Sequence, residues 1–381
     1  MDALYFDHNA TTPLDPRVRR EMIAALEGIH GNPSSAHAFG RQARAAVARA
    51  RGQVAELLGA APDEVIFTAS GTEANNAVIA DRLRDGGEVV YAAFEHPSVR
   101  AAAAREVARG AHARSVPPGP DGVVSVDAVL GALSSTTRLV VLMLANNELG
   151  TLQPVAEVAR RCRERGVPVL CDAVQAVGKV PVRVDELGVD YLTLGGHKFH
   201  GPLGGAALWV RQGVALEGLL VGAAQEGGRR AGTENVPAIV GLGVAAALAH
   251  ADLGDRNRFL GELRDRFEHR LAELLPEARV HCAGSPRLPN TSHVAFPGVL
   301  GQELMRVLDA EGVAVSTGAA CGSGKPEPSA VLLAMGMDRD EALASLRISF
   351  GMTNTAAEVD RLVEALVGQV QALRRRTPVL S

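Results

Sequence analysis

Apolar and polar positions alternate along the chain in two different patterns. Short runs dense in Val, Leu and Ile recur as EVIFTA, EVVYAA, RLVVLML, VPVLCD and DYLTLG. Each has the length of a strand, and their apolar density is that of strands buried on both faces. Helical stretches separate them. Strands alternating with helices predict an α/β fold, a large and mainly parallel sheet sandwiched by helices, over residues 12–253. The pattern then changes to a charged amphipathic stretch from Arg256 to Leu275. Strand-like RVHCA and TSHVAF follow, then a helix from Gly301 and a terminal helix from Thr355. Residues 1–11 and 254–381 are therefore read as a smaller α+β domain. Within it STGAACGSGKPEPS, residues 316–329, is too rich in Gly, Ser and Pro for a regular element. It predicts an exposed, mobile loop with Cys321 in its middle.

Length agrees with two cores, since 381 residues exceed what one core serves. Lys and Arg number 39 against 43 Asp and Glu, and the charges are scattered. Basic residues gather only in short clusters, such as Arg229-Arg230 and Arg374-Arg375-Arg376, so neither a nucleic acid nor a membrane surface is an expected partner. Cys162, Cys171, Cys282 and Cys321 form no CxxC pair, and MDALYFDHNATT has no basic then apolar leader pattern. The expectation is a reduced, cytoplasmic protein. Val236 to Leu253 is apolar but carries His250 and Asp252, which suits a buried helix better than a membrane span.

Four places offer chemistry. Lys198 in GGHKFHGP follows a short apolar strand, at the carboxyl edge where open α/β folds bind ligands. Its amine can form a Schiff base, or it can be a surface lysine in a turn. Asp172 ends VPVLCD at the same edge, and serves either as the anion beside a protonated pyridine nitrogen or as a helix N-cap. TASGTEANN, after EVIF, places Gly71 and Thr72 at a helix start that can take a phosphate, while Ser70 to Glu73 also reads as a capping box. Cys321 differs from these, because a thiol in an exposed loop reads as a nucleophile rather than an inert core residue. Two further patterns are weak. Gly241-Leu-Gly-Val-Ala-Ala fits the dinucleotide fingerprint without a good strand before it. His197 and His200 resemble a metal pair without a third ligand, and no metal is expected.

Taken in order, these segments resemble the cysteine desulfurases of the NifS and IscS type, class V aminotransferases among the fold-type I pyridoxal-phosphate enzymes. YFDHNATTP, GNPSSAHAFGR, FTASGTEANN, EHPSV, MLANNELGTLQPV, DAVQAVGK, GGHKFHGP, RRAGTEN, STGAACGSG, EPSAVLLAMG and SLRISFG run in that family's order. The resemblance implies pyridoxal 5'-phosphate carried on Lys198, with Asp172 on its pyridine nitrogen, Gln175 on its phenolate oxygen and His96 stacked on the ring, shuttling protons. Gly71, Thr72 and His197 would hold the phosphate, with Thr233 reaching over from a second subunit of a homodimer. Asn147 and Arg347 would bind the α-carboxylate of L-cysteine. Cys321 would attack the substrate sulfur, leaving alanine and a persulfide for a protein acceptor or scaffold. The length of the Cys321 loop resembles the NifS and IscS group. Gly195 departs from the pattern where a Ser is usual, Leu203 stands where a Lys is common, and Gly222-Ala223-Ala224 replaces a glycine run. Competing expectations are a selenocysteine lyase or an aminotransferase on the same fold, and a sulfur-relay or scaffold protein that has lost turnover.

Overall fold

The computed structural model describes residues 3–318 and 327–376. Twelve strands among them form three sheets. They are β1 (Leu4–Tyr5), β2 (Val65–Thr68), β3 (Glu88–Ala92), β4 (His112–Val116), β5 (Thr137–Met143) and β6 (Val169–Asp172), then β7 (Tyr191–Gly195), β8 (Ala206–Val210), β9 (Arg279–Val280), β10 (Thr291–Ala295), β11 (Val313–Ala314) and β12 (Ser345–Ser349). Seven of them make one sheet in the order β2-β8-β7-β6-β5-β3-β4, in which only β8 runs against the rest.

The apolar runs form strands because both faces of this sheet are covered. Val90, Val140, Leu142, Val169, Cys171 and Leu192 pack into one apolar core, while Val89, Leu139, Val141, Leu170 and Tyr191 pack into another. Successive residues point to opposite faces, so a strand sandwiched between helices is apolar at most positions. Edge strand β4, HARSV, lacks that signature. Its first four residues are exposed, and pairing with β3 holds it in place.

A second group of elements forms its own core. The antiparallel sheet β12-β10-β9 carries Val294, Leu346 and Ile348 into it, and the chain's start joins through parallel pairing of β1 with β11. The helix Val236–Leu274 spans both cores without interruption. Its Leu242, Ala245 and Ala249 pack beneath the large sheet, and its Leu260, Leu263 and Phe267 in the second core. By length and composition this helix could cross a membrane, but half of its apolar window is packed inside the fold. Gly241 and Gly243 lie in mid-helix, where a β-carbon would strike Met22 at 2.6 Å and Ala50 at 2.6 Å. These glycines permit close helix packing, and no strand-turn-helix phosphate loop exists there for a dinucleotide.

Candidate active site

The carboxyl ends of β2, β3, β5, β6 and β7 converge because these strands run the same way, and the residues just beyond them line a cavity of about 270 Å3. Open α/β sheets place ligands at this edge. Gly71, Thr72, His96, Asn147, Asp172, Gln175, His197 and Lys198 all line it. Thr233 is exposed and lies outside this cavity. Cys321 lies outside the described residues.

Lys198 stands in a short turn after β7, and its Nζ donates to the carbonyls of Asn9 and Ala10, each at 2.7 Å. Burial, then the nearby Arg347 guanidinium, lowers its pKa to about 8. The amine is thus partly neutral, and so nucleophilic, near physiological pH. Asp172 is buried at the end of β6, where Oδ2 accepts from Asn75 Nδ2 at 2.8 Å and Oδ1 from the Val174 N–H at 3.0 Å. Beside it Glu95 is fully buried, and burial together with the Asp172 charge raises its pKa well above the usual range. Glu95 Oε1 accepts from the Met143 N–H at 2.7 Å. A neutral Glu95 leaves Asp172 as the anion of the site.

The helix Gly71–Leu83 begins at the cavity, capped by Ser70, whose hydroxyl accepts from the Glu73 N–H at 3.1 Å. Cap and anion site coexist, since one side-chain cap leaves further N–H groups of the first turn without a helical partner. A β-carbon on Gly71 would lie 2.8 Å from Val174 and 3.3 Å from Thr193, so glycine lets this turn sit against the sheet edge. His197 Nδ1 lies 3.2 Å from Thr11 Oγ1, and burial lowers its pKa to about 4, with Lys198 and Lys179 adding to the effect. It is neutral at pH 7. Gly195 leaves room beside it: a β-carbon there would meet His197 and Val174 at 3.6 Å, an ordinary contact.

His96 caps the helix Pro97–Val107, with Nδ1 accepting from the Ser98 N–H at 3.1 Å. A neutral ring accepting at Nδ1 carries its proton on Nε2. Its ring opens onto the cavity, yet the surrounding protein lowers its pKa, against the pull of Asp172. Arg347, on β12, donates from Nη2 to Asp7 at 2.5 Å and from Nη1 to the Asn147 carbonyl at 3.0 Å, while its buried Nε has no partner. The segment that leads to Cys321 pairs with it, as Ser316 and Arg347 exchange backbone hydrogen bonds of 2.7 and 3.2 Å. His200, by contrast, places Nδ1 on the Pro13 carbonyl at 2.9 Å, and no cluster of three metal-ligating groups occurs among the described residues.

Several participants escaped the sequence reading: Asp7, Asn9, Asn75, Glu95 and Lys179. Asp7 and Asn9 lie in the quoted YFDHNATTP, Asn75 in FTASGTEANN and Lys179 in DAVQAVGK. Only the last carried a positional signal, its helical spacing of four from Gln175.

Fold and site together describe an enzyme that brings a reactive amine and a buried carboxylate together at the carboxyl edge of a parallel sheet. The Aminotransferase class-V family model matches residues 4–362. A cysteine desulfurase of Gluconacetobacter diazotrophicus is 43% identical over 99% of this chain and 96% of its own. Among solved structures, a NifS-like protein superposes with a TM-score of 0.91 at 35% identity, covering 97% of this chain and 100% of its own. SspA in complex with cysteine superposes with a TM-score of 0.79 at 31% identity, covering 91% of this chain and 98% of its own. The chain belongs to the class-V aminotransferase family, in its cysteine desulfurase branch.

Proposed function

We propose that this chain is a pyridoxal-phosphate-dependent cysteine desulfurase, converting L-cysteine to L-alanine and leaving the sulfur as a persulfide on Cys321. The observation that carries the reading is Lys198 and Asp172 facing one cavity together with the helix start at Gly71. These residues fit the cofactor. Asp172 supplies an anion for the pyridine nitrogen, the Gly71–Thr72 turn supplies N–H donors for the phosphate, and neutral His197 adds a ring nitrogen without a competing charge. Gln175 would donate from Nε2 to the phenolate oxygen.

Bound pyridoxal phosphate supplies an electron sink conjugated to the substrate's α-carbon. Asp172 keeps the pyridine nitrogen protonated, so that the sink stays open. Lys198, with a pKa of about 8, is the amine that holds the cofactor and then takes the α-proton. His96, with its proton on Nε2, donates and recovers protons from the cavity side. Arg347 does not itself line the cavity, but its Nη1 meets the carbonyl of Asn147, which does; its unpartnered Nε would bind the α-carboxylate, with Nη2 exchanging Asp7 for the substrate. Cys321, as thiolate, attacks the substrate sulfur. A sulfur–sulfur bond forms, the carbon–sulfur bond breaks, and its electron pair passes to the substrate carbon, which is protonated to give alanine. A homodimer completes the reading, since Thr233 is exposed and outside the single-chain cavity, and Leu203 and Val221 are apolar yet 73% and 93% exposed. The product persulfide is handed to a protein acceptor.

The test compares wild type with Cys321→Ala for alanine and sulfide release from L-cysteine under a reductant, while the cofactor's visible absorbance is recorded. Wild type should yield both products, and the variant should bind cofactor and yield neither. Equal alanine from both would remove Cys321 as the sulfur acceptor.

A further inference from the structure

Of the 39 Lys and Arg residues in the chain, only Lys179, Lys198 and Lys325 are lysine. The chain uses arginine for nearly every other cation, so a lysine kept in a fully enclosed position needs a reason. Lys179 is 4% exposed, and burial, then the Lys198 and Arg347 charges, hold its pKa well below the usual range. A guanidinium could not shed its charge there, whereas an amine can.

Lys179 Nζ lies 2.9 Å from Gln175 Oε1 and 3.1 Å from Asn9 Oδ1. The Asn9 assignment is secured independently, since its Oδ1 also accepts from Asn290 Nδ2 at 3.1 Å and its Nδ2 donates to Thr291 Oγ1 at 2.9 Å. Even a neutral amine has two N–H groups, enough for both acceptors. Lys179 itself is set by the turn that carries Gln175, and its carbonyl accepts from Asn257 Nδ2 at 3.0 Å. With Oε1 held by Lys179, the Gln175 amide cannot flip. Its Nε2 donates to the Asn9 carbonyl at 2.9 Å, and that same carbonyl accepts from Lys198 Nζ at 2.7 Å. One Nε2 hydrogen is thereby used, and the other is left for the cavity that Gln175 lines.

We propose that Lys179 is a positioning residue, which fixes the Gln175 amide with its N–H donors toward the cofactor's phenolate oxygen. The inference rests on the pyridoxal-phosphate reading above. A donor on that oxygen competes with the proton shared between the oxygen and the Lys198 nitrogen, and so favours loss of that proton. Freeing the amide should therefore raise the pH at which the visible band of the bound cofactor changes by about one unit, the scale of one hydrogen bond.

The experiment titrates that band against pH in wild-type holoenzyme, Lys179→Met, Gln175→Ala and the double variant. The expected result is an upward shift of about one unit in Lys179→Met and no further shift when it is added to Gln175→Ala, because the two act as one unit. An equal shift in the Gln175→Ala background would mean that Lys179 acts by its own charge, and would overturn the proposal. So would an unchanged titration in folded Lys179→Met. If Lys179→Met does not fold, Lys179→Gln replaces it, being too short to bridge both acceptors, and an unshifted band there is equally fatal. Absence of any visible band in wild type given pyridoxal phosphate would instead sink the cofactor reading, and this inference with it.

Discussion

The amine of Lys198 is held by two carbonyls, which suit either protonation state as acceptors, and crowded by Arg347, which favours the neutral one. Its folded pKa of about 8 lies below the lysine reference, so the free amine accumulates as pH rises through about 8. The rate at which the cofactor-free protein traps pyridoxal phosphate should climb through that region, followed as growth of the visible band. A climb delayed to the ordinary lysine range would show that burial does not act on this amine. Arg347 illustrates the same economy of charge, since Asp7 balances its buried guanidinium.

At the level of elements, the site depends on how closely a helix start can approach a strand edge. Gly71 allows that approach, because a β-carbon would overlap Val174 at 2.8 Å and press Thr193 at 3.3 Å. Gly71→Ala should push the Gly71–Leu83 helix outward, destabilising the cofactor-free protein by about 1–3 kcal/mol, the usual scale for overpacking. Urea unfolding measures that loss, and a cofactor titration should show weaker binding in the same variant. Unchanged stability and affinity together would mean that the strand edge gives way freely.

On the scale of the whole molecule, Asn9 ties the two cores together at the site. Its side chain meets Lys179 from the large sheet's side and Asn290 and Thr291 at the start of β10, and its carbonyl meets Gln175 and Lys198. Asn9→Ala removes one acceptor each from Lys179 and Asn290, which keep Gln175 Oε1 and the Phe350 carbonyl, while leaving the backbone contacts possible. The expected loss is about 1–3 kcal/mol, from two hydrogen bonds lost by donors that each keep one other acceptor, read as a lower Tm of the cofactor-free protein. A Tm within a degree of wild type would show that the junction is held elsewhere.

The sequence alone determined the elements whose signal is local. Dense apolar runs marked β2, β3, β5, β6 and β7, because burial on both faces favours apolar residues at successive positions, and Lys198 and Asp172 stood at the ends of two of them. The order of the motifs marked the family. Polar β4 was not legible, since its exposed residues owe their strand conformation to pairing with β3. Nor was it legible that one unbroken helix, Val236–Leu274, runs through the changeover between cores, between Ala249 and Leu260. Tertiary structure alone decided the partners of the site: Asn9 reaches Gln175 across 166 residues and Lys179 across 170. No periodicity records such a meeting, because hydrogen bonds between distant segments depend on how the two cores dock, and docking is a property of surfaces rather than of local runs.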